Sequence, residues 1–184
     1  MMSKNIPRIK GEKVNLCLLR TDDEAINIYV RWLADENIAW RIGANNDVTN
    51  LHDEAEWAKY GGTKYRFNIV TRDNDTLIGN CEIRINNRNA TLGILIGDEI
   101  NCECGYGTET LKILLKFCFE ELGLHNVALS ANSDNGRAIY TYKKIGFKEC
   151  GCEREVTWLN DHWVDNVTFQ ILEDEYRQLY KEDK

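Results

Sequence analysis

The sequence predicts a mixed α/β fold in which a β-sheet of about seven strands is flanked by helices. Two observations carry this prediction: the hydrophobic period changes repeatedly between that of a helix and that of a strand, and turn-forming residues separate the segments. The predicted order is β-α-α-β-β-β-α-β-α-β-β-α, a layered arrangement. At 184 residues the chain has the length of a single domain.

The predicted strands are short runs rich in apolar residues and bounded by polar turns. They cover residues 14–19, 65–71, 77–85, 90–97, 126–131, 147–158 and 163–171. The strand at 90–97 contains the consecutive apolar residues Ile94, Leu95 and Ile96, so we expect it to be buried on both faces. The last two strands are expected to form a hairpin around residues 159–162.

The predicted helices cover residues 22–34, 53–60, 108–122, 135–145 and 173–181. Thr21 and Asp134 are the expected N-caps of the first and fourth of these helices. The helix at 108–122 has the clearest pattern, because its leucines and Cys118 fall on one face and Gly123 follows it. Residues 35–62 give a weaker pattern.

The charge balance and the apolar runs exclude several classes of protein. The chain has 23 lysine and arginine residues against 30 aspartate and glutamate residues, a net charge of −7. Nucleic-acid backbones require clustered cations, so no nucleic-acid partner is expected, whereas a cationic substrate suits this balance. The apolar runs are too short for a membrane span or a secretory signal. Seven cysteines, an odd number, favour reduced thiols, so we expect a cytoplasmic protein with no membrane partner.

A glycine-rich segment joins the strand at 90–97 to the helix at 108–122. It is Cys102-Glu103-Cys104-Gly105-Tyr106-Gly107-Thr108, called here the glycine loop. Its two glycines allow a close backbone approach to a ligand, and the first N–H groups of a helix have no partner within the helix. Such a helix start binds phosphate, although a purely structural turn explains many Gly-x-Gly segments. The third glycine of a dinucleotide-binding motif is replaced by Thr110, and the lysine of a P-loop is absent.

A second segment, residues 135–147, has the pattern of an amphipathic helix that ends at Gly146. Ala138 and Tyr142 are four residues apart and therefore share one face of this helix. The tyrosine is thus presented beside a small residue, where another group can approach closely. The alternative is a core tyrosine whose hydroxyl is hydrogen-bonded.

Together the two segments resemble the GNAT superfamily of acyl-CoA-dependent N-acetyltransferases. The resemblance covers nearly the whole chain, and it implies a single N-acetyltransferase domain over residues 1–184 with a splayed mixed sheet. Other residues look like the Rim-type branch, which includes ribosomal-protein alanine acetyltransferases. These are Asp98, Thr108-Glu109, Leu124-His125, and the opening Gly11-Glu12-Lys13-Val14 with Leu18-Leu19-Arg20.

The resemblance also implies where acetyl-CoA binds. The co-substrate would lie between the strand ending at Gly97 and the strand starting near Asn126, and its pantetheine arm would pair with backbone groups of Ile94, Leu95 and Ile96. The remaining cofactor-binding residues would hold the pyrophosphate or line the opposite side. They are Cys102, Glu103, Cys104, Gly105, Tyr106, Gly107 and Thr108 on the loop, and Asn135, Ala138 and Tyr142 on the later helix.

Two residues are candidates for catalytic proton transfer. Tyr142 matches the tyrosine that the family has near the thioester sulfur. Because a thiol has a pKa of about 8.5 and tyrosine one of about 10, a protonated Tyr142 can give a proton to the departing thiolate. Glu82 would accept the proton of the amine, directly or through water; the alternative is a solvated strand carboxylate. Direct transfer needs no covalent enzyme intermediate, so a nucleophilic cysteine is unnecessary. No metal is expected.

The expected acceptor is a primary amine. The branch resemblance suggests a protein N-terminus, whereas the net charge of −7 suits a small cationic amine such as a polyamine or an aminoglycoside. Two departures from the family pattern keep a non-catalytic acyl-CoA-binding protein as an alternative. Thr91 replaces a glutamate found in many relatives, and Glu103 adds a carboxylate beside the expected pyrophosphate.

Cysteine pairs give a third alternative, a redox- or zinc-responsive regulator. Cys102-x-Cys104 and Cys150-x-Cys152 together supply four thiols. The spacing differs from that of zinc knuckles, so reduced thiols are favoured.

The tryptophans also leave two interpretations open. Trp32, Trp40 and Trp57 either line an acceptor pocket or belong to the core. Trp158 and Trp163 in the closing hairpin either form a homodimer surface or are buried within one subunit.

Overall fold

In the computed structural model, which describes residues 4–43, 49–159 and 161–180, a mixed β-sheet is flanked by helices, as predicted. The strands in these residues are β1 Pro7–Lys10, β2 Val14–Leu18, β3 Tyr65–Thr71, β4 Leu77–Asn86, β5 Asn89–Ile96, β6 Asn126–Asn132, β7 Lys148–Leu159 and β8 His162–Leu172. The α-helices are α1 Asp23–Ala34, α2 Glu36–Ala39, α3 Leu51–Tyr60, α4 Tyr106–Lys116, α5 Gly136–Lys144 and α6 Glu173–Leu179. The strand order is β1-β2-β3-β4-β5-β6-β8-β7.

The chain divides into two compact units. The N-terminal unit comprises Met1–Ile83 and Gly93–Thr110, and the C-terminal unit comprises Arg84–Leu92 and Leu111–Lys184. Strands β4 and β5 and helix α4 each contribute residues to both units. That residues 1–184 act as one N-acetyltransferase domain stays a prediction.

The sheet of the N-terminal unit begins as an antiparallel meander. Strand β1 pairs with β2, β2 with β3 and β3 with β4, and β5 follows β4 in the strand order. Asn68 lies opposite Asn80, and Arg66 lies opposite Glu82. Because side chains alternate along a strand and opposite residues share a face, these four polar side chains lie on the same face of the sheet.

Helices α1 and α3 cover the face of the sheet that carries these four polar side chains. The Tyr29 hydroxyl of α1 donates a 2.6 Å hydrogen bond to the Asn68 side-chain oxygen, which fixes the helix over the sheet. Around this bond lies an apolar cluster drawn from the helices and strands. It includes Cys17, Ala25, Ile26, Tyr29, Trp32, Ile38, Ala58, Val70, Leu77 and Leu95.

The C-terminal unit supplies the parallel pairing that makes the sheet mixed. Asn89 of β5 pairs in parallel with Asn126 of β6, and the register runs as far as Thr91 opposite Ala128. Strand β8 then pairs antiparallel with both β6 and β7. Strand β5 continues to Ile96 beyond this register.

Strand β1 is absent from the sequence-based prediction, which therefore counted seven strands instead of eight. It begins at a proline and exposes most of its four residues, with only Ile9 half-buried. Short edge strands that contain proline have no hydrophobic alternation to reveal them.

Both predicted N-caps are wrong by one residue. Asp22, not Thr21, caps α1 by accepting a 3.3 Å hydrogen bond from the Ala25 N–H. Asn135, not Asp134, caps α5 through the Ala138 N–H at 3.2 Å. Threonine, aspartate and asparagine have similar capping preferences, so adjacent candidates cannot be separated without the backbone angles.

The predicted helix at 108–122 differs at both ends. Helix α4 begins two residues earlier, at Tyr106, and ends at Lys116, where a π-helical turn, Phe117–Glu121, follows it. The wider turn buries three consecutive residues, Phe117, Cys118 and Phe119. A regular 3.6-residue period does not predict three adjacent buried positions.

Strand β5 is not buried on both faces, so that expectation is wrong. Thr91 is exposed, Ile94 and Ile96 are half-buried, and Leu92 and Leu95 are buried. The Ile96 side chain faces Gly107 of α4, and even a Cβ on that glycine would come only within 3.7 Å of it. A helix face without a side chain leaves the isoleucine partly uncovered.

Candidate active site

Strand β5 ends in a close contact between its backbone and α1. The Gly97 N–H donates to the Ile78 carbonyl at 2.9 Å. A Cβ on Gly97 would overlap the indole ring of Trp32, which is fully buried. After this contact Asp98 takes a positive φ of 49°, so the chain turns away from the sheet toward the glycine loop. Glycine at position 97 is therefore required by the space that Trp32 fills.

The glycine loop presents unpaired N–H groups at the start of α4. Glu103 and Gly105 adopt positive φ angles of 62° and 83°. The first N–H with an intrahelical partner is that of Glu109, which donates to the Gly105 carbonyl at 3.0 Å. In the described part of the chain, the backbone N–H groups of residues 104–108 have no hydrogen-bond acceptor. Several free donors at the positive end of a helix fit the pyrophosphate of CoA.

Helix α4 is fixed by a contact with the β1–β2 turn. The Glu109 carboxylate accepts hydrogen bonds from the backbone N–H groups of Glu12 at 2.6 Å and Lys13 at 2.8 Å. The Lys13 ammonium in turn donates to the Cys104 carbonyl at 3.1 Å. The Glu109 carboxylate is thus satisfied by the turn, and the Lys13 ammonium lies against the loop.

Glu82 lies against the middle of β5. A Cβ on Gly93 would lie 3.1 Å from Glu82 Cγ and 3.3 Å from Glu82 Oε1. Gly93 is two residues before Leu95, which faces α1, so Glu82 lies on the face that α1 and α3 cover. Glu82 is half-buried on this face, and its role as a base stays a prediction.

The face around Glu82 carries further polar groups. Arg66, opposite Glu82, donates to the Thr63 carbonyl at 2.8 Å and places its guanidinium 5.6 Å from the ring of Trp57 on α3. The Nδ2 atom of fully buried Asn68 has no hydrogen-bond partner among the described residues. A buried amide donor without a partner is costly, so this position suits a polar group from outside the chain.

Glu54 on α3 is a buried carboxylate with 7% of its surface exposed. Burial raises its pKa above the usual range for glutamate, and the nearby charge of Asp53 adds to this effect. It is four residues before Ala58, a member of the cluster that also contains α1 residues, so Glu54 lies toward α1. A buried acid with a raised pKa is a candidate functional group.

Tyr142 on α5 is held by aromatic packing. The residue is only 7% exposed, with its ring 5.7 Å from Phe169 and 6.2 Å from Phe147 between centroids. Burial raises its pKa to about 12. Its hydroxyl has no hydrogen-bond partner among the described residues, and its role in the reaction stays a prediction. Asn135 and Ala138, which precede it at the start of this helix, are both half-buried.

The two units divide the predicted site residues between them. The N-terminal unit contains Ile94, Leu95 and Ile96 of β5 and the whole glycine loop. Glu82 itself is in this unit, whereas Asn135, Ala138 and Tyr142 are in the C-terminal unit. Sequence reasoning missed Lys13, Gly93 and Glu54, because nothing local to these positions indicates their neighbours.

The tryptophans differ in burial, which decides between the two interpretations for some of them. Trp32 is a core residue, and Trp57 is half-buried against Tyr29 with ring centroids 6.2 Å apart. Trp158 and Trp163 contact each other edge to face and are 45% and 55% exposed. Burial of this pair within the chain is therefore ruled out, and the homodimer surface stays a prediction.

The cysteines are free thiols. Burial raises the pKa of Cys17 to about 11 and that of Cys118 to about 12, so these thiols stay protonated. Within the described ranges, no group of three or more His, Cys, Asp or Glu side chains is placed to hold a metal ion. None of the helices described is both long and apolar enough to cross a membrane.

A family model described as an acetyltransferase (GNAT) domain matches residues 14–148. One relative is an uncharacterized N-acetyltransferase, YnaD, of Bacillus subtilis, 25% identical over 63% of this chain and 69% of its own length. Another is the spermidine N(1)-acetyltransferase of Vibrio cholerae, 30% identical over 69% of each chain.

The fold is also similar to that of a solved structure. The spermidine N-acetyltransferase of Vibrio cholerae, crystallised in complex with CoA and spermine, aligns with a TM-score of 0.77 at 22% identity. The alignment covers 90% of this chain and 99% of that chain. With a family model that spans most of the sequence, a matching fold and a loop that fits pyrophosphate, the chain belongs to the GNAT acetyltransferase family and is an N-acetyltransferase that uses acetyl-CoA.

Proposed function

We propose that this chain, acting as one N-acetyltransferase domain, transfers the acetyl group directly to a primary amine of a small polycationic molecule of the polyamine class. The observation that carries this proposal is the placement of the Glu82 carboxylate against Gly93, on the face that α1 and α3 cover. The buried Glu54 belongs to the same part of the N-terminal unit. Two carboxylates near one covered face suit an acceptor with more than one ammonium group.

Acetyl-CoA supplies an activated thioester. The free N–H groups of residues 104–108 would bind its pyrophosphate, and Ile94, Leu95 and Ile96 would offer backbone groups to its pantetheine arm. Cys102 and Glu103 complete the loop, and Asn135 and Ala138 are proposed as further residues that contact acetyl-CoA. The register of β5 with β6 ends at Thr91, which supports a free strand edge beyond it.

Tyr142 would act as the general acid. When the amine nitrogen attacks the carbonyl carbon and the C–S bond breaks, the hydroxyl gives its proton to the departing thiolate. A pKa of about 12 keeps this hydroxyl protonated throughout the neutral range. The ring packing against Phe169 would hold the hydroxyl in one place and lower the entropy cost of the transfer.

Glu82 would act as the general base, directly or through a water molecule. An alkyl ammonium has a pKa of about 10.4, so at neutral pH the acceptor must lose a proton before it can attack. Glu82 takes that proton, and Gly93 leaves the space in which the carboxylate lies against β5. Glu54 would hold a second ammonium group of the acceptor.

Further support comes from charge and from relatives. The net charge of −7 attracts polycations, and the relative that is 30% identical over 69% of the chain is a spermidine acetyltransferase. The Rim-like residues suggest the competing acceptor, a protein N-terminus. An α-amine, with a pKa of about 8, would depend less on a base.

The test is an acceptor screen with purified protein and acetyl-CoA, read out by thiol release and by the mass of the product. Spermidine, spermine, an aminoglycoside and peptides with N-terminal alanine or serine are compared. We expect the polyamines to give the highest kcat/KM. Transfer to peptides alone would contradict the polyamine assignment, and binding of acetyl-CoA without transfer to any amine would favour the non-catalytic alternative.

A further inference from the structure

The glycine loop binds a highly charged co-substrate without a cation of its own. CoA carries a pyrophosphate and a 3′-phosphate, and a phosphate monoester adds about −1.5 to −2 at pH 7. The only charged residue in the loop is Glu103. Arg41 lies near, with its guanidinium 3.4 Å from Cys102 Sγ, but it forms an ion pair with Glu99. Charge for the phosphates must come from another element.

Two cations that approach the loop come from neighbouring turns. The Lys13 ammonium is 3.1 Å from the Cys104 carbonyl and would lie 3.1 Å from a Cβ on Gly105. The Arg72 backbone N–H donates to the Lys13 carbonyl at 2.8 Å, and its guanidinium donates to the Gly11 carbonyl at 3.1 Å. Neither cation has a carboxylate within salt-bridge distance in the described residues.

These two side chains line a cavity beside the loop. Its volume is about 520 Å³, and its lining consists of Glu12, Lys13, Arg72, Asp73, Cys104 and Tyr106. Two of the lining residues belong to the glycine loop, so the cavity adjoins the expected pyrophosphate position. In CoA a ribose joins the pyrophosphate to the 3′-phosphate, so a pyrophosphate held at the glycine loop would bring the 3′-phosphate toward the cavity.

We propose that Lys13 and Arg72 form the subsite for the 3′-phosphate of CoA in this cavity. The proposal rests on the pyrophosphate binding at the glycine loop, but it involves neither the acceptor nor the catalytic groups. Lys13 also holds the loop, because its ammonium donates a hydrogen bond to the Cys104 carbonyl. Arg72 offers a charged, multi-donor group of the kind that binds phosphate through parallel hydrogen bonds.

The acidic lining residues modulate this subsite. Glu12 and Asp73 are exposed and partly offset the charge of the two cations that line the cavity. A bound phosphate is repelled by both carboxylates. Removing the charge of Asp73 therefore strengthens binding of CoA and leaves binding of 3′-dephospho-CoA nearly unchanged.

The experiment compares the dissociation constants of CoA and 3′-dephospho-CoA by calorimetry, at one fixed salt concentration. We expect the wild type to prefer CoA by about tenfold or more. Arg72→Ala reduces this preference by about five- to tenfold without weakening dephospho-CoA, since one charge-assisted contact is lost. Arg72→Lys retains part of the preference. Lys13→Ala also reduces it, together with some loss for both ligands.

Lys10→Ala is the matched control, because Lys10 is an exposed cation on β1 and its removal changes the net charge equally. It should leave the preference intact. A preference unchanged in both Arg72→Ala and Lys13→Ala would overturn the proposed subsite while leaving the proposed function standing. A wild type that binds neither ligand would overturn the glycine-loop assignment itself.

Discussion

The two groups proposed for proton transfer are held in opposite ways. Tyr142 of the C-terminal unit is buried among aromatic rings, and its hydroxyl has no partner in the described residues. Glu82 of the N-terminal unit is half-buried on a polar face, opposite Arg66 and against the bare backbone of Gly93. The position of Tyr142 depends on aromatic packing, whereas the position of Glu82 depends on the absence of a side chain at Gly93.

This difference suits the direction of each proton transfer. An apolar environment raises the pKa of a phenol and therefore keeps the hydroxyl protonated. A carboxylate that must accept a proton needs polar neighbours and access to the amine or to water. The comparison therefore predicts that a variant without the Tyr142 hydroxyl loses the proton donor itself. Variants at or near Glu82 are predicted to change the position of the carboxylate or the pH dependence of the rate.

The largest effect is expected from Tyr142→Phe, which removes the hydroxyl and keeps the aromatic packing. We expect kcat to fall by about 100- to 1,000-fold with little change in the KM for acetyl-CoA. With a pKa of about 12, this tyrosine causes no decline of wild-type kcat between pH 8 and pH 10. Steady-state thiol release measures both.

The matched control for that variant is Tyr140→Phe, because Tyr140 lies on the same helix and is 67% exposed. It should turn over like the wild type. Full turnover of Tyr142→Phe at every pH would remove the tyrosine from the mechanism.

Glu82→Gln should have the next largest effect. It keeps the volume and removes the base, so kcat/KM for an alkyl amine should drop by about 100-fold near pH 7. The deficit should shrink as the pH approaches about 10, where the amine loses its proton unaided. A pH–rate profile with Glu56→Gln, an exposed change on α3, as control decides this; a deficit independent of pH would contradict a role as base.

Gly93→Ala tests the space in which Glu82 lies. The new methyl group would be 3.3 Å from Glu82 Oε1, so the carboxylate must shift by a few tenths of an ångström. We expect kcat to fall about three- to tenfold with an unchanged melting temperature. Gly62→Ala has open space around it and should be neutral. An unaffected kcat would mean that the position of Glu82 does not limit the reaction.

The smallest effect concerns stability at Glu54. Burial raises the pKa of Glu54 in the folded state, so protonation of this carboxyl group stabilises the fold. That contribution to the free energy of unfolding is lost as the pH rises through the folded-state pKa. Glu54→Gln should therefore raise the melting temperature at pH 7 more than at pH 4. Differential scanning calorimetry at the two pH values measures this, and a loss of stability at pH 7 would show that the ionised carboxylate has a partner.

The parts of the site that lie within one short segment could be predicted from the sequence. The glycine loop and the helix with Tyr142 each have their glycines, cap and apolar face within about ten residues. Their assignment as site residues still awaits the experiments above. The fold class followed equally from local periods, and the mixed sheet confirms it.

Contacts between distant residues could not be predicted. Lys13 and Cys104 are separated by 91 positions, and Glu12 and Glu109 by 97, so no local pattern relates them. Whether Glu82 faced solvent or the helices depended on the strand register, because a shift of one residue reverses every side chain. The π-helical turn after α4 likewise reflects tertiary burial of three adjacent residues.

The contact between Gly97 and Trp32 has a consequence for how this chain can diverge. Any side chain at position 97 would collide with a fully buried indole, so the two positions cannot change independently. Among relatives, a larger residue at the position of Gly97 should occur only where the residue at the position of Trp32 is smaller. Such paired exchanges would keep the path of the backbone from β5 toward the glycine loop intact.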